Sequence, residues 1–225
     1  MSNPYFSVII PAYNEENYIK STLHSLKQQT FQDFETIVIA NGCTDKTEEI
    51  IKKRTNEKLR LLSLANPNVS VARNAGALNS NGEMLIFLDA DTILGKDTLQ
   101  KIKENFSEQH SVATTLVNPD SKQLKFKFLM GLKNLGMRTK IYRGFAGIVV
   151  CPKKTFHKVG GYNPETTVKE HWDLRLKLEQ EGKYLLVPSY TTTSMRRYQQ
   201  WGLIKATKFW VNYLVRKKNG YEKIR

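Results

Sequence analysis

Short apolar runs alternate with amphipathic stretches through the first half of the chain. Four buried strands are predicted by runs rich in β-branched, aromatic or aliphatic residues, at 5–10, 35–40, 59–64 and 84–88. Apolar positions at helical spacing predict helices that begin at Asn14, at Thr44 or Asp45, and over 69–78 and 97–106. Strands that alternate with helices of about ten residues indicate βαβ units and a mostly parallel sheet.

Polar residues follow three of the predicted strands, at 11–14, 40–42 and 89–91. In an extended chain, side chains two residues apart project to the same side, so Asp89 and Asp91 can point together beyond the fourth strand. Two converging carboxylates suit Mg²⁺ or Mn²⁺. Taken alone, Asp91 could instead be the N-cap of the next helix. Ligands bind at the carboxyl ends of parallel strands, so three polar ends at one edge favour a binding site.

Composition narrows the class of protein. With 225 residues, 40% of them hydrophobic, the chain is long enough for one sizeable core. No apolar run approaches the length of a membrane span, and the first residues lack a signal-peptide pattern, so we expect a cytoplasmic protein. The two cysteines, Cys43 and Cys151, lie in or beside apolar stretches, which favours reduced structural thiols.

The positive charge is concentrated in two segments. The formal net charge is +14; residues 120–143 carry seven Lys or Arg against one Asp, and residues 196–225 carry nine against one Glu. Acidic and basic residues balance in the rest of the chain, so these two segments hold the whole excess. This distribution indicates a surface that meets an anionic partner, either phospholipid or nucleic acid.

Four motifs surround the predicted strand ends: Ser-Val-Ile-Ile-Pro-Ala-Tyr-Asn-Glu-Glu at 7–16, Asn-Gly-Cys-Thr-Asp-Lys-Thr at 41–47, Ala-Arg-Asn-Ala-Gly at 72–76 and Leu-Asp-Ala-Asp at 88–91. In this order and spacing they resemble glycosyltransferase family two. The resemblance continues through Gly-Phe-Ala-Gly-Ile at 144–148, Val-Gly-Gly-Tyr-Asn at 159–163 and Glu-His-Trp-Asp-Leu at 170–174. It implies a GT-A fold, with a Rossmann-like, mostly parallel sheet flanked by helices. Within one domain, 1–118 would bind the nucleotide sugar, 119–195 the acceptor, and 196–225 would form a basic helical segment.

The resemblance also implies a donor site. Asp89 and Asp91 would lie beside a divalent metal and the diphosphate, with Asp91 as the more direct ligand. The base and ribose would be enclosed by Pro11, Tyr13, Glu15 and Asn41, and the nucleotide would also meet Arg73 and Ala90. Strand-end packing, an Asn-Gly turn and a surface charge are the ordinary alternatives for Tyr13, Asn41 and Arg73. The chain has Ala40-Asn41 where the family usually has an acidic pair, which leaves the nucleobase open.

The acceptor half departs from the family at the position of the general base. Many members have Glu-Asp before this helix, and the Asp takes the proton of the acceptor hydroxyl. Here the matching residue is His171, which could serve because histidine changes its protonation near neutral pH. Glu170 or Asp173 could supply the base instead, and an acceptor that is a lipid phosphate would need none. The acceptor is expected to contact Gly144, Phe145, Gly147 and Trp172.

The basic segments suggest two further roles. Arg196 and Arg197 could clamp the diphosphate, because guanidinium groups match phosphate geometry, or could belong to a membrane-facing surface. Residues 201–218 interleave aromatic and basic residues as an interfacial helix does, although packing on the core is equally consistent. Residues 122–143 form a second candidate for such a helix. A peripheral position on the cytoplasmic membrane face is therefore expected.

We therefore expect a metal-dependent, inverting hexosyltransferase that moves one sugar from a nucleotide diphosphate to a lipid phosphate or lipid-linked glycan. The Gln-x-x-Arg-Trp pattern of processive members is missing from 191–202, which favours a non-processive enzyme. A nucleotidyltransferase is a competing hypothesis, but the chain lacks a Gly-rich loop after its first strand. A basic nucleic-acid-binding module would leave the strand-end motifs unexplained. We expect no nucleic-acid partner.

Overall fold

One mixed sheet forms the centre of the fold. The computed structural model describes residues 3–166, 169–202 and 205–206. Its strands are β1 (Phe6–Ala12), β2 (Phe34–Asn41), β3 (Leu59–Leu64), β4 (Met84–Leu88), β5 (Thr92–Leu94), β6 (His110–Pro119), β7 (Ile148–Pro152) and β8 (Lys183–Thr193). The helices are α1 (Ile19–Lys27), α2 (Thr47–Lys52), α3 (Val69–Leu78), α4 (Thr98–Asn105), α5 (Leu124–Arg138), α6 (Lys153–Lys158), α7 (Glu170–Leu178) and α8 (Arg196–Trp201).

The strand order is β3-β2-β1-β4-β7-β6-β8-β5. The first four strands in this order are parallel neighbours, and β6 and β8 run in the same direction as they do. Within the described residues, only β7 and β5 run the opposite way. The prediction of a mostly parallel sheet is therefore confirmed, and the carboxyl ends of β1, β2 and β4 lie at one edge.

Both faces of the sheet are buried, and this explains the near-continuous apolar strands. In β1, Phe6, Val8 and Ile10 pack in one core, while Ile9 packs in a second core on the other face. Side chains alternate between the faces of a strand, so a strand covered on both sides has no polar face. Gly76 lets α3 approach closely, because a Cβ at this position would lie 2.3 Å from the Ile9 side chain.

Two helix starts were predicted too early. The helix expected from Asn14 begins at Ile19, because Asn14 adopts a left-handed conformation (φ +53°) and its side-chain oxygen accepts the Thr44 N–H at 2.8 Å. The next helix begins at Thr47 instead of near Thr44 or Asp45. The side-chain oxygens of Thr47 and Asp45 accept the N–H groups of Glu15 and Glu16. Residues 13–18 are therefore held as a loop at this edge of the sheet. The short strand β5 was not predicted.

The C-terminal segment is described only in part. Helix α8 ends at Trp201, and beyond Gly202 the structure describes residues 205 and 206. The interfacial helix predicted over 201–218 therefore lies almost entirely outside the described residues. Among the helices that are described, none combines the length and the apolar character needed to cross a bilayer.

Candidate active site

The Asp89–Asp91 turn is held in place from two sides. The N–H of Asp89 donates to the carbonyl of Gly147 at 2.9 Å, and the carbonyl of Ala90 accepts the Thr22 hydroxyl at 2.7 Å. Gly147 has φ +75°, and a Cβ there would lie 2.3 Å from the Thr92 hydroxyl oxygen. A glycine is thus required for the close approach that fixes the two aspartates beyond β4.

Asp89 faces a cluster of buried cationic and aromatic side chains. Arg73 Nη2 lies 3.1 Å from Asp89 Oδ1, and its Nη1 donates to Glu170 at 3.0 Å. His171 Nε2 lies 4.0 Å from the same Asp89 oxygen. Burial alone would raise the pKa of Asp89, but the nearby His171 and the charge of Arg73 lower it to about 2. Asp89 is therefore a permanent anion at neutral pH.

Tyr162 connects Arg73 with His171. The guanidinium of Arg73 lies over the Tyr162 ring, 5.2 Å from its centroid, and the Tyr162 hydroxyl lies 2.9 Å from His171 Nδ1. Burial raises the pKa of Tyr162 well above its ordinary value, so its phenol stays neutral. Both ring nitrogens of His171 therefore have a neighbour: Tyr162 at Nδ1 and Asp89 near Nε2.

Asp91 has a different environment. Arg196 Nη2 lies 3.1 Å from Asp91 Oδ2, and the same guanidinium makes a bidentate contact with Glu15 at 2.5 and 2.7 Å. Burial, and then the negative charge of Asp89, raise the pKa of Asp91 to about 7, against the opposing effect of Arg196. Of the two aspartates, Asp91 is the one that titrates near neutral pH, and the Arg196 guanidinium lies against it.

The carboxylates fit a divalent metal that is shared with a substrate. The pKa of Asp91 is raised first by burial and then by the negative charges of Asp89 and Glu15, and a divalent cation would relieve the repulsion among these carboxylates. In the described part of the chain, no three His, Cys, Asp or Glu side chains form a complete metal-binding group. Mg²⁺ and Mn²⁺ commonly take one or two carboxylates and fill their remaining positions with water and phosphate oxygens. This donor set suits such an ion.

The carboxyl ends of β2 and β3 border a surface cleft, lined by Gly42, Cys43, Thr44, Leu64 and Ala65 among others. Asn41 ends β2 at its rim, but its side-chain oxygen accepts the N–H of Asn68, the N-cap of α3, at 2.8 Å. Pro11 is buried near the end of β1, and Tyr13 follows it half-buried. The donor residues predicted from sequence are thus brought to this edge, with Asn41 also fixing the loop before α3.

The loop of residues 144–147, which the sequence predicts to contact the acceptor, packs against the Asp89 cluster through His171. The ring of Phe145 packs against His171, with 5.5 Å between centroids, and the Phe145 carbonyl accepts a hydrogen bond from Lys133 Nζ at 2.8 Å. The carbonyl of Gly144 accepts the Tyr184 hydroxyl at 2.7 Å. Residues 144–147 therefore form a loop that is anchored by hydrogen bonds at each of its four residues.

Asp173 and Trp172 lie apart from these clusters, whereas Arg197 acts on Asp91 through its charge. The Asp173 carboxylate accepts from the Thr166 hydroxyl at 3.3 Å, and none of its hydrogen bonds or ion pairs among the described residues reaches Asp89 or Asp91. Trp172 packs against the Arg175 guanidinium, 4.2 Å from the ring centroid. Arg197 lies over Trp201 at 5.5 Å, whereas its neighbour Arg196 enters the carboxylate cluster.

Sequence reasoning missed Lys133 and gave no role to Tyr162. Lys133 was counted with the basic residues of 122–143, yet its ammonium is turned inward to the acceptor loop. Tyr162 lay inside a recognised motif and is almost fully buried beside His171. For Lys133, the only signal was its position one turn after the buried Met130 and one turn before the buried Met137.

A family model described as "Glycosyl transferase family 2" matches residues 7–164, which is more than half of the chain. The chain belongs to glycosyl transferase family 2. Its relatives in this family include a chondroitin synthase of Pasteurella multocida, 28% identical over 193 residues, which are 80% of this chain and 19% of that protein. TarS of Staphylococcus aureus, a poly(ribitol-phosphate) β-N-acetylglucosaminyltransferase, is 35% identical over 111 residues, 47% of this chain and 19% of that protein.

Solved structures of family members and related transferases share the fold. TarS 1–349 of S. aureus with UDP-GlcNAc has a TM-score of 0.68 at 22% identity, covering 87% of this chain and 59% of that one. A mannosyltransferase from Pyrobaculum calidifontis with GDP-Man and Mn²⁺ has a TM-score of 0.72 at 18% identity, covering 98% and 67%. The predicted GT-A fold is confirmed. The chain spans about a fifth of the length of the two curated relatives named above.

Proposed function

We propose that this glycosyltransferase uses a divalent metal and a nucleotide-sugar donor, and transfers one sugar with inversion to an acceptor at a membrane surface. The observation that supports this most is the position of Arg196 at the carboxyl edge of the sheet, where it forms ion pairs with both Asp91 and Glu15. A diphosphate and its metal need alternating positive and negative partners, and this cluster supplies both. The relatives solved with UDP-GlcNAc, and with GDP-Man and Mn²⁺, support a donor of this class.

Asp91, with Asp89 beside it, would hold the metal, which stabilises the leaving diphosphate as a Lewis acid when bound. The guanidinium of Arg196 would then leave Asp91 for the diphosphate, a move that keeps one cation against each anionic group. Arg73 holds the carboxylates of Asp89 and Glu170 in place through one ion pair with each. The cleft beyond β2, lined by Gly42, Cys43 and Thr44 among others, would hold the base and ribose.

The acceptor oxygen would attack from the side of Phe145 and His171. For a hydroxyl acceptor, His171 Nε2 would take the proton while Nδ1–H donates to the Tyr162 oxygen. Asp89, 4.0 Å from Nε2, would stabilise the imidazolium that forms. Attack opposite to the leaving group gives inversion. Glu170 is held by Arg73, so in this arrangement it orients that guanidinium and does not take the proton.

Helix α5 supports a membrane-surface acceptor. Its outer face carries an apolar stripe, in which Leu124 is 82% exposed, Phe128 70%, Leu132 51% and Leu135 57%. Four lysines and arginines on exposed positions around this stripe, Lys125, Lys127, Arg138 and Lys140, complement anionic headgroups. Apolar side chains between cations are what an interfacial helix needs. In contrast, Phe126 and Met130, which the sequence grouped with this surface, are buried against the core.

A thermal-shift panel tests the donor site. UDP, GDP and their common sugars are each added with Mn²⁺ and with chelator to the protein, to Asp91→Ala and to Asp97→Ala, a surface carboxylate control. A ligand at a hundred times its Kd adds about 2.7 kcal/mol, or roughly 5–10 °C for a chain of this size. We expect a metal-dependent shift with one nucleotide family, kept in Asp97→Ala and lost in Asp91→Ala. A well-folded protein without a shift would contradict the donor site.

Vesicle flotation tests the membrane surface. The protein should float with vesicles that contain anionic phospholipid, and less at high salt because exposed charges are screened. Phe128→Ser combined with Leu132→Ser should reduce the floating fraction severalfold. Leu78→Ser removes an equally exposed leucine from α3 and should change nothing. Equal flotation of all three proteins would refute the role of α5.

A further inference from the structure

We propose that Lys133 binds a phosphate group of the acceptor, so that the attacking oxygen is a phosphate oxygen of a membrane lipid and not a hydroxyl. This inference rests on the proposed function and specifies its acceptor. It is carried by the position of the Lys133 ammonium beside the 144–147 loop, and by the absence of an anionic partner for this ammonium among the described residues.

Lys133 reaches the site from the inner face of α5. Its ammonium donates to the Phe145 carbonyl at 2.8 Å, and the Phe145 ring packs on His171. An ammonium has three N–H donors, and this is the only hydrogen bond that Lys133 makes within the described residues. No carboxylate forms an ion pair with it in that part of the chain. Two donors of a largely buried cation therefore remain for a ligand.

A buried cation of this kind favours an anionic ligand. Burial lowers the pKa of Lys133 to about 8, against the attraction of Asp89. Removing an ammonium from water is costly unless an anion or several hydrogen bonds replace the lost hydration. A phosphate oxygen beside the Phe145 carbonyl would accept the two remaining N–H groups. The same ion would hold the acceptor against the loop that forms one wall of the site.

The contacts of Lys133 favour a ligand on the side of His171. Lys133 donates to the carbonyl of Phe145, whose ring packs on His171, whereas Asp91 is contacted by Arg196. The donor diphosphate has Arg196 on its own side of the cluster. Lys133 also follows Leu132 directly, an exposed member of the α5 stripe. A headgroup phosphate at the membrane surface would therefore lie within reach of the inner face of the same helix.

The chemistry is balanced without a base. An anionic phosphate oxygen forms the bond to the anomeric carbon as the bond to the donor phosphate breaks, and the electron pair leaves with the nucleoside diphosphate. No proton is transferred, so His171 needs no free ring nitrogen. The product is a sugar phosphodiester.

Binding of farnesyl phosphate and farnesol, measured in the presence of Mn²⁺ and the nucleoside diphosphate that shifts the melting temperature most, tests this assignment. Farnesyl phosphate should bind and farnesol should not compete with it. Lys133→Met should weaken farnesyl phosphate binding about ten- to a hundredfold, because charge-assisted hydrogen bonds are lost. Lys133→Arg should recover part of the affinity. Lys103→Met, an exposed lysine on α4, is the matched control and should behave as the unaltered protein.

The nucleotide affinity of Lys133→Met separates the outcomes. An unchanged nucleotide Kd with lost farnesyl phosphate binding supports the proposal. A weakened nucleotide Kd with intact farnesyl phosphate binding would assign Lys133 to the donor diphosphate and overturn it. So would equal binding of farnesol and farnesyl phosphate. If the unaltered protein fails to bind any nucleotide, the proposed function itself fails, which is a separate result.

Discussion

Asp89 and Asp91 are two residues apart in one turn, yet their surroundings shift their pKa values in opposite directions. The pKa of Asp89 falls to about 2 and that of Asp91 rises to about 7. Burial raises the pKa of both carboxyl groups, so the difference between the two values comes from the neighbouring charges. Two carboxylates with such separated pKa values have two separate roles. We therefore propose that Asp89 stays a fixed anion on the side of His171, and that Asp91 exchanges Arg196 for a metal.

The two arginines differ in the same way. Arg73 comes from the ten-residue helix α3, its side chain is 4% exposed, and it bridges two carboxylates. Arg196 begins the six-residue helix α8, and its side chain is 33% exposed. A buried ion pair held by a packed helix does not rearrange easily, whereas a partly exposed one can open to a ligand. From this difference we expect the ion pairs of Arg73 to stabilise the fold and those of Arg196 to open when a ligand binds.

Removal of the arginines should have the largest and most unequal effects. Arg73→Met leaves Asp89 and Glu170 without their buried cation, and loss of one member of a buried pair costs about 3 kcal/mol or more. Arg196→Met removes a partly exposed pair and should cost less than about 1 kcal/mol. Urea denaturation at pH 7 measures both values. Equal losses would show that the two clusters are energetically alike.

The second prediction concerns pH. Because Asp91 has a higher pKa in the folded chain than the ordinary value of 3.8, the folded state holds a proton that the unfolded state has already released between about pH 4 and 7. The stabilisation is complete below pH 4 and is lost as the pH rises to 7. Asp91→Asn keeps a neutral side chain, so at pH 8 it should be more stable than the unaltered protein by about 4 kcal/mol, because a difference of one pKa unit corresponds to about 1.36 kcal/mol.

Melting temperatures of both proteins from pH 4 to 8 check this difference. It should vanish near pH 4 and grow toward pH 8. A difference that does not change with pH would contradict the raised pKa of Asp91. Asp97→Asn, at an exposed position, should follow the unaltered protein throughout.

The smallest expected effect is that of Arg196→Met on two affinities, that for Mn²⁺ alone and that for the nucleotide together with Mn²⁺. Arg196→Met removes the cation that competes for Asp91, so Mn²⁺ alone should bind severalfold more tightly. The diphosphate loses its guanidinium partner, so nucleotide with Mn²⁺ should bind about tenfold more weakly. Arg197→Met should produce smaller changes, because Arg197 lies over Trp201. Calorimetric titrations measure both affinities, and parallel changes in the two would refute the exchange of partners.

Hydrophobic patterning was sufficient to predict the sheet and the edge that carries the site. The run into Asp89, buried on both faces, could be recognised as a strand because its five residues are apolar and bounded by charge. The start of α1 could not be predicted, because Asn14 and Glu15 bond to a loop some 30 residues later in the chain. Local pattern contains no information on such a contact.

The partners of the site residues were beyond prediction for the same reason. Arg73 and Glu170 are 97 positions apart, and Arg196 and Glu15 are 181 apart. The motifs predicted Asp91 as a site residue, but only tertiary packing shows that Arg196 lies against it. Helix α5 has apolar residues on both faces, so its sequence could not show that Phe126 is buried, Phe128 is exposed and Lys133 points inward.

The most direct measurement is the number of protons released when a metal and nucleotide sugar bind at pH 6. Calorimetric titrations in two buffers with different ionisation enthalpies give this number, and a nucleotide sugar is used because its diester phosphates do not titrate near this pH. With the Asp91 pKa at about 7, binding should release nearly one proton at pH 6 and little at pH 8. Chelator should abolish the release at pH 6. Binding without proton release at pH 6 would contradict the assignment of Asp91 as the exchangeable metal ligand.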